Sequence, residues 1–315
     1  MKRTWLVTVL ISALGAVGVL RADDKKPAKL DWTAKKGDAA LFTVKRSSSS
    51  EGGQFSTKEE TEIQYRIEVA DRKDNGDLEL KVSYAKAKSK QEGRDSTWEF
   101  DSAEKDGGDE AAAFLRGVVS KAITVKLSGG KIADVAGFPE LERPEQGGGG
   151  EGFRLFRRKG LLSRRSLEGD LDLILARAVR GQDLESGKEY RLAREEPAGG
   201  EGEGRRRFGG LFGRGGSPRV LFKYQGEDKA GDQVAAKFAL SAEPPQRPEG
   251  DGPRAEVKSE GAAAVSMKDG LLLKLEVSTK SKFEGERDGQ SFSFSTSSKT
   301  VILRETPSKK EAASV

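Results

Sequence analysis

Ile63-Gln64-Tyr65-Arg66-Ile67-Glu68-Val69, then Asp74-Asn75-Gly76, then Leu78-Glu79-Leu80-Lys81-Val82-Ser83-Tyr84, is the stretch on which the fold turns. In both arms apolar residues alternate with polar or charged ones. Successive side chains of a strand point to opposite faces, so this period of two describes a strand with one dry face and one wet face. Asn75-Gly76 between the arms predicts a tight hairpin, with the positive φ angles that Asn and Gly tolerate. A slip of one residue would expose Ile63, Tyr65, Ile67 and Val69 together with Leu78, Leu80, Val82 and Tyr84, so the pattern also fixes the register.

The same grammar extends in both directions. Upstream, Leu41 to Val44 begins a strand after Gly37-Asp38, and Ser47 to Gly53 reads as a polar turn. Downstream, Trp98 and Phe100 mark a short strand. Asp109 is placed to cap a helix over Glu110 to Val119, with Ala111, Leu115 and Val118 on one face. Ile123, Val125 and Leu127 alternate into the turn Ser128-Gly129-Gly130, with Ile132 and Val135 beyond it. A second helix is predicted from about Ser166 to Arg180, stopped by Gly181. Leu171, Ile174, Leu175 and Ala178 form its apolar face.

Alternation returns in the second half at Tyr190 and Leu192, at Val220, Phe222 and Tyr224, and at Val234, Ala236, Phe238 and Leu240. It continues at Leu271, Leu273, Leu275 and Val277, and Phe292, Phe294, Val301 and Leu303 finish the sheet. Gly187-Lys188 answers Gly37-Asp38, and Asp228 to Asp232 answers Asp71 to Asp77, both ending in Gly-Asp. Two readings fit: two diverged copies of one β-rich unit, or a meander that reuses Gly-Asp turns. The fold expected is mainly β (α+β), a curved antiparallel sheet or half-barrel with two or more short helices.

Organisation follows from composition. Residues 1–22 have the plan of a signal peptide. Lys2 and Arg3 precede the uncharged run Leu6 to Leu20, and Ala22 stands at the expected cleavage point. Residues 23–36 are polar. A first β-rich unit spans 37–142, and a flexible Gly/Arg-rich insertion spans 143–165, including Gly147 to Gly150. A helix and a second β-rich unit span 166–306, broken by a flexible loop at 198–218 and a linker at 243–253. The tail 307–315 is expected to be disordered. The export expected is periplasmic or extracellular, with no transmembrane segment left after cleavage.

The 315 residues carry a formal charge of +5, with 56 Lys and Arg against 51 Asp and Glu. Cleavage after Ala22 would remove three positive charges and leave +2. The remaining basic character sits in two segments, 143–168 and 204–219, and not over the whole surface. There is no Cys and no His. Disulfides, a lipid-modified N-terminal cysteine, a Ser-His-Asp triad, a Cys-His pair and an ordinary zinc site are thereby excluded. Carboxylate pairs, Ser-Lys pairs and Asp/Glu calcium sites survive. No cofactor motif is present: Gly147 to Gly150 lacks the Lys-Ser/Thr and the strand–helix setting of a phosphate loop. The acids Asp101, Glu104, Asp106, Asp109 and Glu110 obey no calcium spacing rule.

The candidate contact residues are Arg205, Arg206, Arg207, Phe208, Phe212 and Arg214, within RRRFGGLFGRGGSPR. Arginines with interleaved phenylalanines could meet nucleic acid by stacking. They could instead meet anionic lipid or another envelope polyanion, or form a solvated low-complexity loop. Nucleic acid is the least suited partner for an exported chain. Phe153 to Arg165 mixes apolar and basic residues, and reads as a loop leading into the second helix or as a membrane-surface segment.

Four short motifs occur in order: Lys35-Lys36-Gly37-Asp38, Gly129-Gly130-Lys131-Ile132-Ala133-Asp134-Val135-Ala136-Gly137, Leu184-Glu185-Ser186-Gly187-Lys188-Glu189-Tyr190, and Met267-Lys268-Asp269-Gly270. With them the chain resembles exported bacterial β-rich proteins of unknown function, distantly similar to periplasmic lipoprotein carriers with half-barrel sheets. The resemblance implies an envelope role and a sheet face for an apolar ligand, an envelope component or a protein partner. It carries no catalytic residue. The function expected is therefore that of a non-catalytic exported binding protein. The alternative is a secreted hydrolase using carboxylates or a Ser-Lys pair.

Overall fold

A computed structural model describes residues 28–305, apart from 54, 95, 105–107, 140–154, 156–157, 192–219, 231–232, 243–253 and 288–289. The signal segment 1–22 and the tail 307–315 lie outside the described residues. The hairpin of the opening stretch is formed by β3 (Phe55–Arg72) and β4 (Leu78–Gly93). All eight predicted inward residues are buried, from Ile63 through Tyr84. Val69 faces Leu80, Ile67 faces Val82 and Tyr65 faces Tyr84.

Two details depart from the simple hairpin. The register shifts at Ala70 and again at Ala85, bulges that bend the strands and increase their twist. The turn spans Lys73 to Asp77 and not two residues. Gly76 takes φ of 85°, while Asn75 stays outside the left-handed region and accepts the Asp77 N–H on its side chain at 3.0 Å.

Around this hairpin lies one antiparallel sheet. β6 (Ile123–Ser128) and β7 (Lys131–Ala136) follow β4 on one side, with β5 (Thr97–Asp101) also paired to β4. On the other side of β3 comes β2 (Ala39–Gly52), and then, unexpectedly for a chain read in order, the last strand β14 (Gln290–Glu305). β13 (Leu272–Arg287), β12 (Arg254–Ser266), β11 (Gln233–Ala242), β10 (Val220–Ala230) and β9 (Glu189–Arg191) complete the path. The path runs from β7 to β9 without closing. The expected mainly β, open and curved sheet is therefore what forms.

One face at one end of this sheet is the core. Phe42, Ile63, Tyr65, Leu80, Ile123, Phe222, Phe238, Val265, Leu275 and Ile302 line it. Helix α1 (Glu110–Val119) begins where expected, with the Asp109 carboxylate accepting from Ala112 N at 3.0 Å. Its buried side is Ala111, Ala112, Leu115 and Val118.

The second helix differs from the expectation. α2 runs Arg164–Ile174, capped by Ser163. It ends about six residues early because Ala176 turns into the left-handed region at φ of 46°. Leu171, Ile174, Leu175 and Ala178 are nevertheless all buried. β1 (Ala28–Lys29) pairs β8 (Asp183–Leu184) under the sheet. The polar segment before β2 thus plants Leu30 and Trp32 in the core. Trp32 donates its indole N–H to the Leu175 carbonyl at 3.0 Å, and Arg180 stacks over its ring at 3.5 Å.

Three other strand expectations need correction. Ser47 to Gly53 is not a turn: β2 continues as strand through Gly52, paired to β3 to its end and to β14 as far as Glu51. Leu271, Leu273 and Leu275 do not alternate inward, because a shift at Ala264/Val265 brings Leu272 and Leu275 to the core instead. Ile302 is the buried residue of its strand, and Leu303 points outward, as does Val234, which is 49% exposed.

The hairpin core generates the first prediction. Ile67→Ala and Leu80→Ala should each cost about 2–5 kcal/mol. Arg66→Ala and Lys81→Ala, on the exposed side, should stay within about 0.5 kcal/mol. Urea melts of the four variants measure the contrast, and equal costs for the two sets would contradict a hairpin dry on one face.

Candidate functional site

The strands run well past the core, and this extension holds the candidate site. Its inner border is a polar cluster. The phase of α2, set by the Ser163 cap, turns Asp170 inward beside Leu167, Leu171 and Ile174. Asp170 is fully buried and forms an ion pair with Arg46 of β2. The Tyr65 hydroxyl donates to its other carboxylate oxygen at 2.7 Å. Burial lowers the Arg46 guanidinium from its ordinary range, with Tyr65 and Glu59 acting against that. Burial pushes the Tyr65 phenol up, and the nearby Arg46 charge opposes it. Tyr84 lies with its ring centroid 5.3 Å from that of Tyr65, and its buried hydroxyl has no partner among the described residues. A buried carboxylate held by one cation and one phenol ties the helix to the sheet.

Beyond this border, the register carries two very different faces. On the core side follow Ser48 and Ser50 of β2, Thr57 of β3, Thr296 and Ser298 of β14, and Thr279 and Ser281 of β13. Val277 and Val257 join them, and Phe283 and Phe294 pair across strands at 6.4 Å near the end. Ser259 and Thr279 share a hydrogen bond of 2.7 Å. Except for Arg46 and Glu59, the core-side residues on β2, β3, β12, β13 and β14 in this extension carry no charge among the described side chains. In a chain that is 34% charged, this separation is a property of the alternation and not of composition.

The opposite face holds the charge. Glu62 accepts from Lys86 at 2.5 Å and lies 3.5 Å from Lys45. Lys88 holds Asp101, and Lys90 sits between Glu92 and Glu99. Glu276 lies between Lys274 and Lys299. The Lys86 hydrogen bond holds the Glu62 carboxyl below its usual value, and hydrogen bonds from Lys88 and from the Ala103 N–H do the same for Asp101. Two clefts open here. One of about 600 Å³ is bordered by Lys45, Arg46, Glu62, Lys88 and Asp101. The second, about 420 Å³, is bordered by Ser49, Lys258, Lys280, Lys282 and Ser297. A general acid needs a raised carboxyl pKa, so lysine-bound Glu62 and Asp101 are ill suited to hydrolysis.

The sequence-predicted contact residues Arg205, Arg206, Arg207, Phe208, Phe212 and Arg214 lie outside the described residues. The described basic residues of the preceding segment do structural work. Arg158 pairs with Asp109 and stacks 5.0 Å over Trp98, Lys159 pairs with Glu110, and Leu162 is buried. Of the acids Asp101, Glu104, Asp106, Asp109 and Glu110, Asp101 is held by Lys88, Asp109 and Glu110 meet these cations, and Asp106 lies outside the described residues. Among the described residues no group of three or more His, Cys, Asp or Glu is placed to hold a metal. None of their helices is long and apolar enough to cross a membrane.

No protein-family description and no curated protein matches this chain. Among solved structures it is similar to lipovitellin, from a study of lipid–protein interactions, with a TM-score of 0.44 and 10% identity over 86% of this chain. The chain spans about a quarter of that protein, 25% of its length. It is also similar to the OccK5 (OpdH) protein of Pseudomonas aeruginosa, with a TM-score of 0.22, 7% identity, 86% of this chain and 99% of that one.

Two predictions follow from the border cluster and the ion pairs. Asp170→Asn keeps an acceptor for Tyr65 but leaves Arg46 without its counter-ion, and should cost about 3 kcal/mol in chemical melts, the low end for a broken buried pair because Arg46 is partly exposed. Glu62 and Asp101 titrate below their ordinary 4.5 and 3.8. Their contribution to stability is therefore complete above those values and lost as pH falls through the depressed ones. The gap in urea midpoint between wild type and Lys86→Met/Lys88→Met should shrink from pH 7 to pH 3; a constant gap would show that the pairs contribute nothing.

Proposed function

We propose that the protein is a non-catalytic binding protein that holds an amphiphilic ligand on the uncharged face of the strand extension. The observation that carries this reading is the continuity of that face with the apolar core, past the Asp170 cluster. Small hydroxyls and methyl groups from five neighbouring strands, ending at Phe283 and Phe294, suit a ligand with an apolar body and hydroxyl or ester groups. Such sites are mostly apolar with a few placed polar groups. The apolar face nearer the turns is filled by α1, α2, Leu30 and Trp32, so the ligand belongs farther along the strands. The leader-like pattern of residues 1–22 supports an exported setting in the periplasm or outside the cell. The hydrolase alternative loses ground at Glu62 and Asp101, whose carboxyls lysines hold below their usual values.

The test introduces charge. Thr279→Glu and Thr296→Lys place an ion in the middle of the face without touching the core, and should leave the melting temperature nearly unchanged. Each should weaken uptake of a fluorescent fatty acyl probe at least tenfold relative to wild type. Native mass spectrometry of protein purified from its own cells should show a bound amphiphile that both variants lack. Unchanged probe uptake, or a wild type that takes up none, would remove the reading.

A further inference from the structure

The charged face of the extension contains one row that breaks its own rule. Lys258 of β12 stands directly opposite Lys280 of β13. Lys280 stands opposite Ser297 of β14, Ser297 opposite Ser49 of β2, Ser49 opposite Lys58 of β3, and Lys58 opposite Glu92 of β4, so the like-charge pair is Lys258–Lys280. Like charges directly opposite each other on an antiparallel pair are destabilising. Elsewhere on this face lysines meet acids, as at Lys45–Glu62, Lys88–Asp101 and Lys299–Glu276. Lys58, Lys258 and Lys280 are exposed and form no ion pair among the described residues. Ser49 and Ser297 between them share a hydrogen bond of 2.8 Å. Four of these five residues, all but Lys58, border the 420 Å³ cleft or its Lys258 and Lys280 rim.

We propose that this row binds an acidic glycan, a sugar chain with spaced carboxylates or sulfates. The Lys258 and Lys280 ammonium groups supply the counter-charge, Ser297 and Ser49 supply hydroxyl partners beside them, and Lys58, with Glu92 opposite it, closes the row. Neighbouring strands lie about 4.8 Å apart, so Lys280 and Lys58 are separated by about 14 Å of sheet. The rows on either side mix signs, with Glu256, Lys282 and Glu51 in one and Glu260, Lys299 and Glu60 in the other, and Glu51 and Glu256 also border the cleft. These acids fit a sparsely charged chain crossing the strands. They oppose a nucleic acid, whose duplex carries a charge about every 1.7 Å. The uncharged face is on the other side of the sheet, so this site stands or falls independently of the amphiphile reading.

The experiment uses the purified chain and four fluorescent probes of equal length: an oligogalacturonate, a heparin-derived oligosaccharide, a neutral dextran fragment and a single-stranded oligonucleotide. Fluorescence polarisation at low and moderate salt should show binding to at least one acidic sugar, falling with salt, and none to dextran. Preference between the two acidic probes tells carboxylate from sulfate. Lys258→Ser/Lys280→Ser should weaken the acidic-sugar affinity at least tenfold and flatten its salt dependence. Lys81→Ser/Lys223→Ser, which removes the same charge elsewhere, should stay within twofold. Lys258→Glu creates an opposite-charge pair with Lys280, so it should raise the melting temperature while abolishing binding, which separates loss of the site from loss of the fold. The proposal is overturned if neither acidic sugar binds, if both double variants weaken binding equally, or if the oligonucleotide binds tenfold tighter than either sugar.

Discussion

The constraint behind this architecture is a mismatch of lengths. A 16-residue strand such as β13 or β14 spans about 54 Å at 3.4 Å per residue. Helix α1, with ten residues, and α2, with eleven, reach only about 15–17 Å at 1.5 Å per residue. Two such helices cannot cover the face that the strands generate. The hydrogen-bonded ladder, however, continues to the strand ends, because every backbone group there needs a partner. The chain resolves this by changing its side chains and not its backbone. Apolar residues stop near the Asp170 cluster, and hydroxyls take over on the same face.

That cluster is therefore a border post between two solvents. On one side Tyr65 and Tyr84 bury their rings in the core; on the other Ser48 and Thr57 meet water. Arg46 bridges both, with its head against a buried acid and its stem on the open strand. The charged face needs no such border. Beside the extension it is wet, and outside the Lys258–Lys280 pair its lysines and acids hold each other in cross-strand register.

How much of this could be read from the sequence depends on what marked each strand. Where apolar residues alternate, as from Ile63 to Tyr84, the strands, their inward faces and their pairing were legible. Where hydroxyls do the alternating, as from Ser47 to Gly52, the same period was present, yet a run of serines reads as a turn because nothing in it needs burial. The bulges at Ala85 and Leu273 were invisible, since a register shift is decided by the partner strand. That Leu30 and Trp32 are core residues was hidden by the lysines around them. The adjacency of Lys258, Lys280 and Lys58 could not be found by inspection of any one segment, because only the register brings them into line. The Gly/Arg loop drew attention by composition, whereas the residues that organise the charged face are ordinary in their local context.

The pairing of β2 with β14 has a consequence for the life of the chain. These strands are joined by eleven residue pairs, from Leu41 with Glu305 to Glu51 with Ser295, and about 240 residues lie between them. The seam sits in the middle of the sheet, not at its rim. A chain emerging from the ribosome thus makes its first long strand early and must wait for its last one before the centre is joined. Contacts so remote in sequence form slowly. Until β14 arrives, the edge of β2 is unpaired and Val44 lacks its partner Ile302. The nascent protein is kept as two unfinished halves, and the final stave fastens both at once.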